Sequence, residues 1–331
     1  MKKLIFLTFF LCGLLTVPLT ASTYRVNNKL SDNPSAKIYS TIQAAHDAAS
    51  DGDTLMIEGS SEEYSAFTST KRLVIKGPGY NLDENPGISA NKLSANIGGQ
   101  CSFNAGSAGS LIMSVVFTVY LYINDNNITV RRCNLLSLSV STVENITISE
   151  CYFPGTGFSI ALSGSIVTNL IIANNILMVP VYFQAGSTGI FLNNIFTVAN
   201  ITIPTGFDMK NNILFATGGT VSLPLLPDLD VCNNISISND FGTANNNQAN
   251  VAEGSLFMGA LTGSTDGTWQ LKTASPAIGA GVGGIDCGAF GGPQPYILSG
   301  VPAGPVIYQL NVSNFSTTDN KLPVTIKVKS Y

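Results

Sequence analysis

Charge is scarce in this chain. Only 11% of its 331 residues are Asp, Glu, Lys or Arg, and the net charge of −4 carries no basic stripe. A surface so poor in clustered cations cannot neutralise a run of phosphates, which excludes nucleic acid as a partner. One His and four Arg are all the chain holds of those types, so residues for proton transfer and anion clamping are few. No two Cys stand in C-x-x-C spacing, which excludes a zinc knuckle or a thioredoxin-like site. Beyond residue 22 no apolar run approaches the roughly 20 residues of a membrane-spanning helix.

What is present is a 45% hydrophobic chain with 32 Gly and many Asn, Ser and Thr, a composition for short strands and tight turns. Met1 to Ser22 reads as a secretory signal. Lys2 and Lys3 form its positive region, Leu4 to Val17 its apolar stretch, and Pro18 to Ser22 a small-residue region cleaved after Ala21 or Ser22. A retained anchor needs a longer apolar run, and lipidation at Cys12 needs smaller residues before it than Phe9, Phe10 and Leu11. The expected location is the periplasm, the cell surface or the medium. Removing the signal leaves five Cys, an odd number.

Four Asn-Asn pairs punctuate the middle of the chain: Asn174-Asn175, Asn193-Asn194, Asn211-Asn212 and Asn233-Asn234. Arg132-Cys133 and Glu150-Cys151 fit the same template. Between second members the steps are 18, 24, 19, 18 and 22 residues. A period near twenty with short strands and a fixed corner residue is the signature of a β-solenoid. Asn tolerates the left-handed backbone of a sharp corner, and stacked amides bond from coil to coil. Cys133 and Cys151 then fall at one repeat position on consecutive coils, close enough for a disulfide or for two buried thiols in the same ladder.

Thr41 to Ala49 carries apolar residues at helical spacing and ends at Asp51-Gly52, which predicts a short helix capping the open end of the core. Strands are expected at 54–58, 73–76 and 111–123. The turn-rich segment 275–292 is expected to close the solenoid. Pro293, Pro295, Pro302 and Pro305 mark a linker, and 306–330 holds two strand-like runs, placed against the capping helix. The division is therefore signal 1–22, solenoid with cap 23–292, and linker with β tail 293–331.

These residues resemble the right-handed parallel β-helix, or pectin-lyase-like, superfamily. The resemblance rests on Thr41-Ile42-Gln43-Ala44-Ala45 with Gly52-Asp53-Thr54-Leu55, on the repeats from 127 to 236, and on Ser275-Pro276-Ala277-Ile278-Gly279 with Gly288-Ala289-Phe290. The tail is similar to those of exported Bacteroidetes-type proteins. The resemblance implies an all-β, single-stranded right-handed parallel β-helix. For activity it implies a population of pectate and alginate lyases, polygalacturonases, tailspikes, adhesins and members of no known activity.

Lyases of that superfamily hold Ca²⁺ on carboxylates and use Arg or Lys as base; the hydrolases use clustered Asp. No paired-Asp motif of that kind occurs here. In the repeat alignment Asp208 and Asp230 share the position four before the corner, with Lys210 two residues beyond Asp208. This is the candidate for an acid–base pair, for Ca²⁺ binding by Asp208 and Asp230, or simply for a neutralised surface cluster. Arg132 and Glu150 are placed to pair between coils, and Arg131 to meet an acidic sugar. His46 is expected to be a partly exposed helix residue. By strand alternation Ile171, Ala173, Ile190 and Leu192 face outward together, and Ile171, Ile190 and Leu192 are candidates for binding a partner or the tail.

Three functions fit. The first is an exported, non-catalytic scaffold for surface interaction or carbohydrate binding, with a polysaccharide or cell-surface protein as partner. The second is a lyase or glycoside hydrolase acting on acidic polysaccharide, with Ca²⁺ as the one cofactor in view. The third is a stalk or spacer.

Overall fold

A computed structural model gives the fold for residues 21–155, 165–198, 200–216, 218, 221–223, 230–312 and 321–331, with backbone alone at 160–161. The expected signal segment lies outside the described residues, except Ala21 and Ser22.

The chain coils as a parallel β-solenoid. Eleven strands stack in a first sheet, from Ile38–Tyr39 and Thr23–Val26 through Thr54–Ile57, Val74–Lys76, Leu111–Met113, Thr129–Arg131, Thr147–Ser149, Leu170–Ala173, Gly189–Leu192 and Phe207–Lys210 to Val231–Cys232. A second sheet runs in two columns joined through the long strand Asn134–Val140. One column, just past the corner, holds Tyr152–Phe153, Ile176–Leu177, Ile195–Phe196, Ile213–Leu214 and Ile235–Ser236. The other holds Ile160–Ala161, Val181–Tyr182, Ile201–Thr202 and Val221–Ser222. A middle coil thus has three faces. The expected strand at 111–123 is two, broken at Ser114 by the corner itself.

The two members of each corner pair divide the work. The first takes the left-handed backbone: φ is 53° at Arg132, 55° at Glu150, 57° at Asn174, 54° at Asn193, 60° at Asn211 and 56° at Asn233. Asn pays little there because its short amide bonds locally. The second is buried and makes the ladder. Asn175, Asn194 and Asn212 each send Nδ2 to the next coil's Oδ1, at 3.0 Å in every case. Each next-coil Oδ1 also accepts the backbone N–H of its predecessor, at 2.9–3.0 Å. Asn247 adds a rung only 13 residues past Asn234, accepting from its amide at 3.1 Å. A second left-handed column, Asn127, Asn145 and Asn169, bonds side chain to side chain at the other edge of the first sheet.

Inside the solenoid, alternate strand residues such as Val130, Ile148, Ile172, Phe191, Met209 and Val231 form one continuous apolar core. Its open end is covered by the helix Ile42–Ala48, whose N-cap Thr41 accepts the Ala44 amide at 3.1 Å. Ile42 and Ala45 point into the core.

The segment 275–292 does not close the far end. It runs back along the corner as a strap. Asn233 Nδ2 donates to Ala280 O (2.9 Å), Asn211 Oδ1 accepts from Val282 N (2.8 Å), and Asn193 Nδ2 donates to Asp286 O (2.9 Å). Asn174 Nδ2 follows on Gly291 O at 2.7 Å, and Arg132 on Val301 O at 3.1 Å. Beneath the strap the residue after each corner, Ile176, Ile195, Ile213 and Ile235, faces out from the solenoid yet is buried. With Leu256, Phe257, Ala277, Cys287, Ala289 and Tyr296 these side chains form a second apolar cluster.

The tail is an antiparallel hairpin, Pro305–Val312 with Val324–Ser330. It roots on the 88–91 loop through Ala90 N to Ile307 O (2.8 Å) and Tyr331 OH to Ile88 O (3.4 Å), instead of against the capping helix.

Candidate functional site

The outward face of the first sheet brings the sequence candidates together. Its register sets Thr147 beside Ile171, Ile171 beside Ile190 and Ile190 beside Asp208; two residues along, Ala173, Leu192 and Lys210 follow. Ile171 is exposed, and Ala173, Ile190 and Leu192 are half-buried. The hairpin roots near the strands 54–57 and 74–76, so it leaves this row uncovered.

At the far end of the row Lys210 sits between two acids, 2.8 Å from Asp208 and 3.5 Å from Asp230. The hydrogen bond it donates to Asp208, with the charge of both carboxylates, holds the Lys210 ammonium above the usual lysine range. That shift keeps the amine protonated and works against its use as a base at neutral pH. Among the described residues no group of three or more His, Cys, Asp or Glu is gathered to hold a metal ion. Asp208 and Asp230 are neighbours, and the charge between them is already a cation.

Arg131, Arg132 and Glu150 form a tighter cluster. Glu150 is fully buried, one oxygen 2.5 Å from Arg131 and the other 2.6 Å from Arg132. The guanidinium offered to an acidic sugar in the sequence reading is therefore tied to a carboxylate of its own coil stack. His46 is buried, not partly exposed. Its Nε2 accepts the Thr70 amide at 3.1 Å and its Nδ1 lies 2.9 Å from Asp47, so both ring nitrogens serve the cap. The five cysteines among the described residues are free thiols, and burial pushes Cys101 up to about 11, Cys287 up to about 12 and Cys151 well up. Cys133 and Cys151 each turn sulfur to carbonyls of their own strands.

Two further features escaped the sequence reading. The first is a buried carboxylate, Asp266, which accepts from Asn85, Ser264, Tyr296 and the Ser299 amide at 2.7–3.1 Å. Tyr296 in turn meets Tyr80 at 2.6 Å, and burial drives both phenols well up. With every lone pair engaged, this knot fastens the end of the strap to the 80–85 loop.

The second is aromatic. Tyr120 and Tyr122 stack at 5.7 Å on the outer side of the third face, ring planes 26° apart. Tyr122 pairs with Ser139, then the register passes through Ala161 to Tyr182 and on to Thr202 and Ser222. Three strand steps at ~4.8 Å set Tyr122 and Tyr182 about 14 Å apart. Tyr182 is exposed and Tyr122 half-buried. The column carries hydroxyls and rings and no charge. Period-two spacing of Tyr120 and Tyr122 is the sequence signal that could have found it.

A groove of about 560 Å³ lies at the hairpin root, lined by Pro78, Ser89, Ala90, Pro302, Ile307 and Leu310 among others. It is apolar and holds no acid or base.

No family model, curated protein or solved structure matches the chain. No helix among the described residues is long and apolar enough to cross a membrane.

Proposed function

We propose that the protein is an exported, non-catalytic carbohydrate-binding scaffold of the pectin-lyase-like, right-handed β-helix type, in an exported Bacteroidetes-type form, and that the tyrosine column of its third face is the binding surface. The observation that carries this reading is the alignment of Tyr122 and Tyr182 with Ser139, Thr202 and Ser222 along one uncharged outer column, with Tyr120 stacked beside Tyr122. Sugar rings stack their C–H faces on aromatic rings while neighbouring hydroxyls exchange hydrogen bonds, and parallel strands repeat both along one axis. An uncharged column favours neutral polysaccharide. The pairing of Lys210 with Asp208 and Asp230, and of both arginines with Glu150, supports a binding role over acid–base chemistry.

Export draws support from Ser22. Its amide meets Asp53 at 2.7 Å, and its hydroxyl accepts from Lys37 at 2.6 Å. Cleavage between Ala21 and Ser22 keeps both contacts and turns the first into an ion pair with the new α-ammonium. Sequencing of the secreted protein should therefore begin at Ser22.

The test of function is a glycan array followed by calorimetry. Tyr122→Ala and Tyr182→Ala should each weaken the selected neutral glycan at least tenfold, with Asp208→Asn neutral. Equal binding by all four proteins overturns the assignment. Release of unsaturated products or reducing ends from acidic polysaccharide, lost in Asp208→Asn or Lys210→Met, would favour the lyase or hydrolase alternative.

A further inference from the structure

Beyond its root at the 88–91 loop, the hairpin presents a face that none of the described residues covers. Its register sets Ile307 opposite Val328, Leu310 opposite Ile326 and Val312 opposite Val324, with a bulge at Tyr308 keeping the three pairs on one side. All six side chains are between 45% and 54% exposed. Gln309, Asn311, Thr325, Lys327 and Lys329 occupy the reverse. A two-stranded ribbon is marginal in water unless its apolar face is packed.

A matching surface lies on the same molecule, out of the hairpin's reach as rooted. Ile171, Ile190 and Leu192 form the outward apolar row of the first sheet. The hairpin is pinned beside Lys76, whose Nζ donates to Ala303 O at 3.0 Å. Lys76 belongs to a strand four places before Leu170–Ala173 in the sheet, a displacement of about 19 Å.

Charge is divided the same way. Residues 305–331 carry three Lys against one Asp. Residues 131–304 carry two Lys and two Arg against nine carboxylates, a net −5, and Asp208 and Asp230 stand at the end of the apolar row. A basic ribbon with a greasy face and an acidic half-solenoid with a greasy row attract one another and bury no unpaired charge where the aliphatic side chains meet.

We infer that the C-terminal hairpin of one copy docks on the Ile171–Ile190–Leu192 row of a second copy, so that the protein assembles head to tail. The two surfaces differ and lie at different levels along the axis, so the contact is heterologous and propagates. This use of the first sheet is independent of the tyrosine column on the third. A ribbon of eight residues covers roughly 26 by 10 Å, small for a specific interface, so association is concentration-dependent.

Sedimentation of the exported protein from one to several hundred micromolar tests this directly. Wild type should grow in mass beyond a dimer, less readily at high salt. A hairpin variant, Ile326→Asp with Val328→Asp, and a row variant, Ile171→Ser with Ile190→Ser, should each remain monomeric, weakened at least tenfold. Mixed one to one, the two variants still offer one intact row and one intact hairpin, so they should form a dimer that grows no further. Far-UV circular dichroism and glycan binding, both unchanged, establish that each variant is folded. A monomeric wild type, a row variant that still associates, or a mixture that stays monomeric overturns the inference.

Discussion

Asn194→Ala removes the centre of the ladder, and its cost can be worked from the contacts. Asn194 is fully buried. Its Oδ1 accepts from the amide and Nδ2 of Asn175, both at 3.0 Å, and its Nδ2 donates to Ile172 O at 2.7 Å and Asn212 Oδ1 at 3.0 Å. Asn175 Nδ2 keeps a second acceptor, Ile148 O. The Asn175 amide loses the partner described for it, in a place water does not reach, at about 1–3 kcal/mol. The remaining bonds contribute about 1 kcal/mol net each, and a small cavity is left behind. The expected loss is about 4–6 kcal/mol, a large share of the ~5–15 kcal/mol typical of folded domains.

Asn194→Asp is the sharper variant. It keeps the acceptor oxygen and puts a second oxygen against Ile172 O and Asn212 Oδ1. At pH 7 it should be no more stable than Asn194→Ala, and it should regain stability in acid, where a protonated carboxyl can donate again. Urea unfolding followed by Trp269 fluorescence and circular dichroism provides the measurement. A loss below ~1 kcal/mol for Ala, or an Asp variant matching wild type at neutral pH, refutes the ladder as the source of corner stability.

Further outcomes follow from the other clusters. Arg132→Met leaves Glu150 buried with one partner fewer and should cost about 3–5 kcal/mol, whereas Arg132→Met with Glu150→Met should recover most of that in the same urea titration. Denatured, unreduced protein cleaved after Ala21, and so without Cys12, should titrate five free thiols with Ellman's reagent, and the folded protein should react slowly because four of the five are buried. Lys210 is protonated more readily in the folded state, so its pairing stabilises fully below its ordinary value and is lost as pH rises above about 10.5. The melting difference between wild type and Lys210→Met should thus hold from pH 6 to 9 and shrink in stronger base. Calcium should leave wild-type melting unchanged and raise that of Lys210→Met, where two carboxylates stand without their cation.

The corners and the inner core were legible in the sequence because one backbone requirement repeats. Only a few residue types accept the left-handed conformation, so the Asn pairs register each coil and fix which strand positions point inward. Past the corner this logic fails. Ile176-Leu177 and Ile213-Leu214 are apolar on both sides, since one residue enters the core and the other lies under the strap, and alternation is erased when both faces are buried. The strap has neither period nor strand, so nothing in its residues announced a return along the corner. His46 was misjudged because its burial depends on Thr70, a partner 24 residues away that no local pattern reveals.

Consider what the returning strap does to cooperativity. A stack whose coils touch only their neighbours frays from its ends, each turn melting nearly on its own. Here one segment grips rungs from Asn233 back to Arg132 and is then knotted through Asp266 to the 80–85 loop, so no middle turn can loosen without unfastening the seam. The molecule behaves less like a zipper than like a laced boot, and its weak point is the knot.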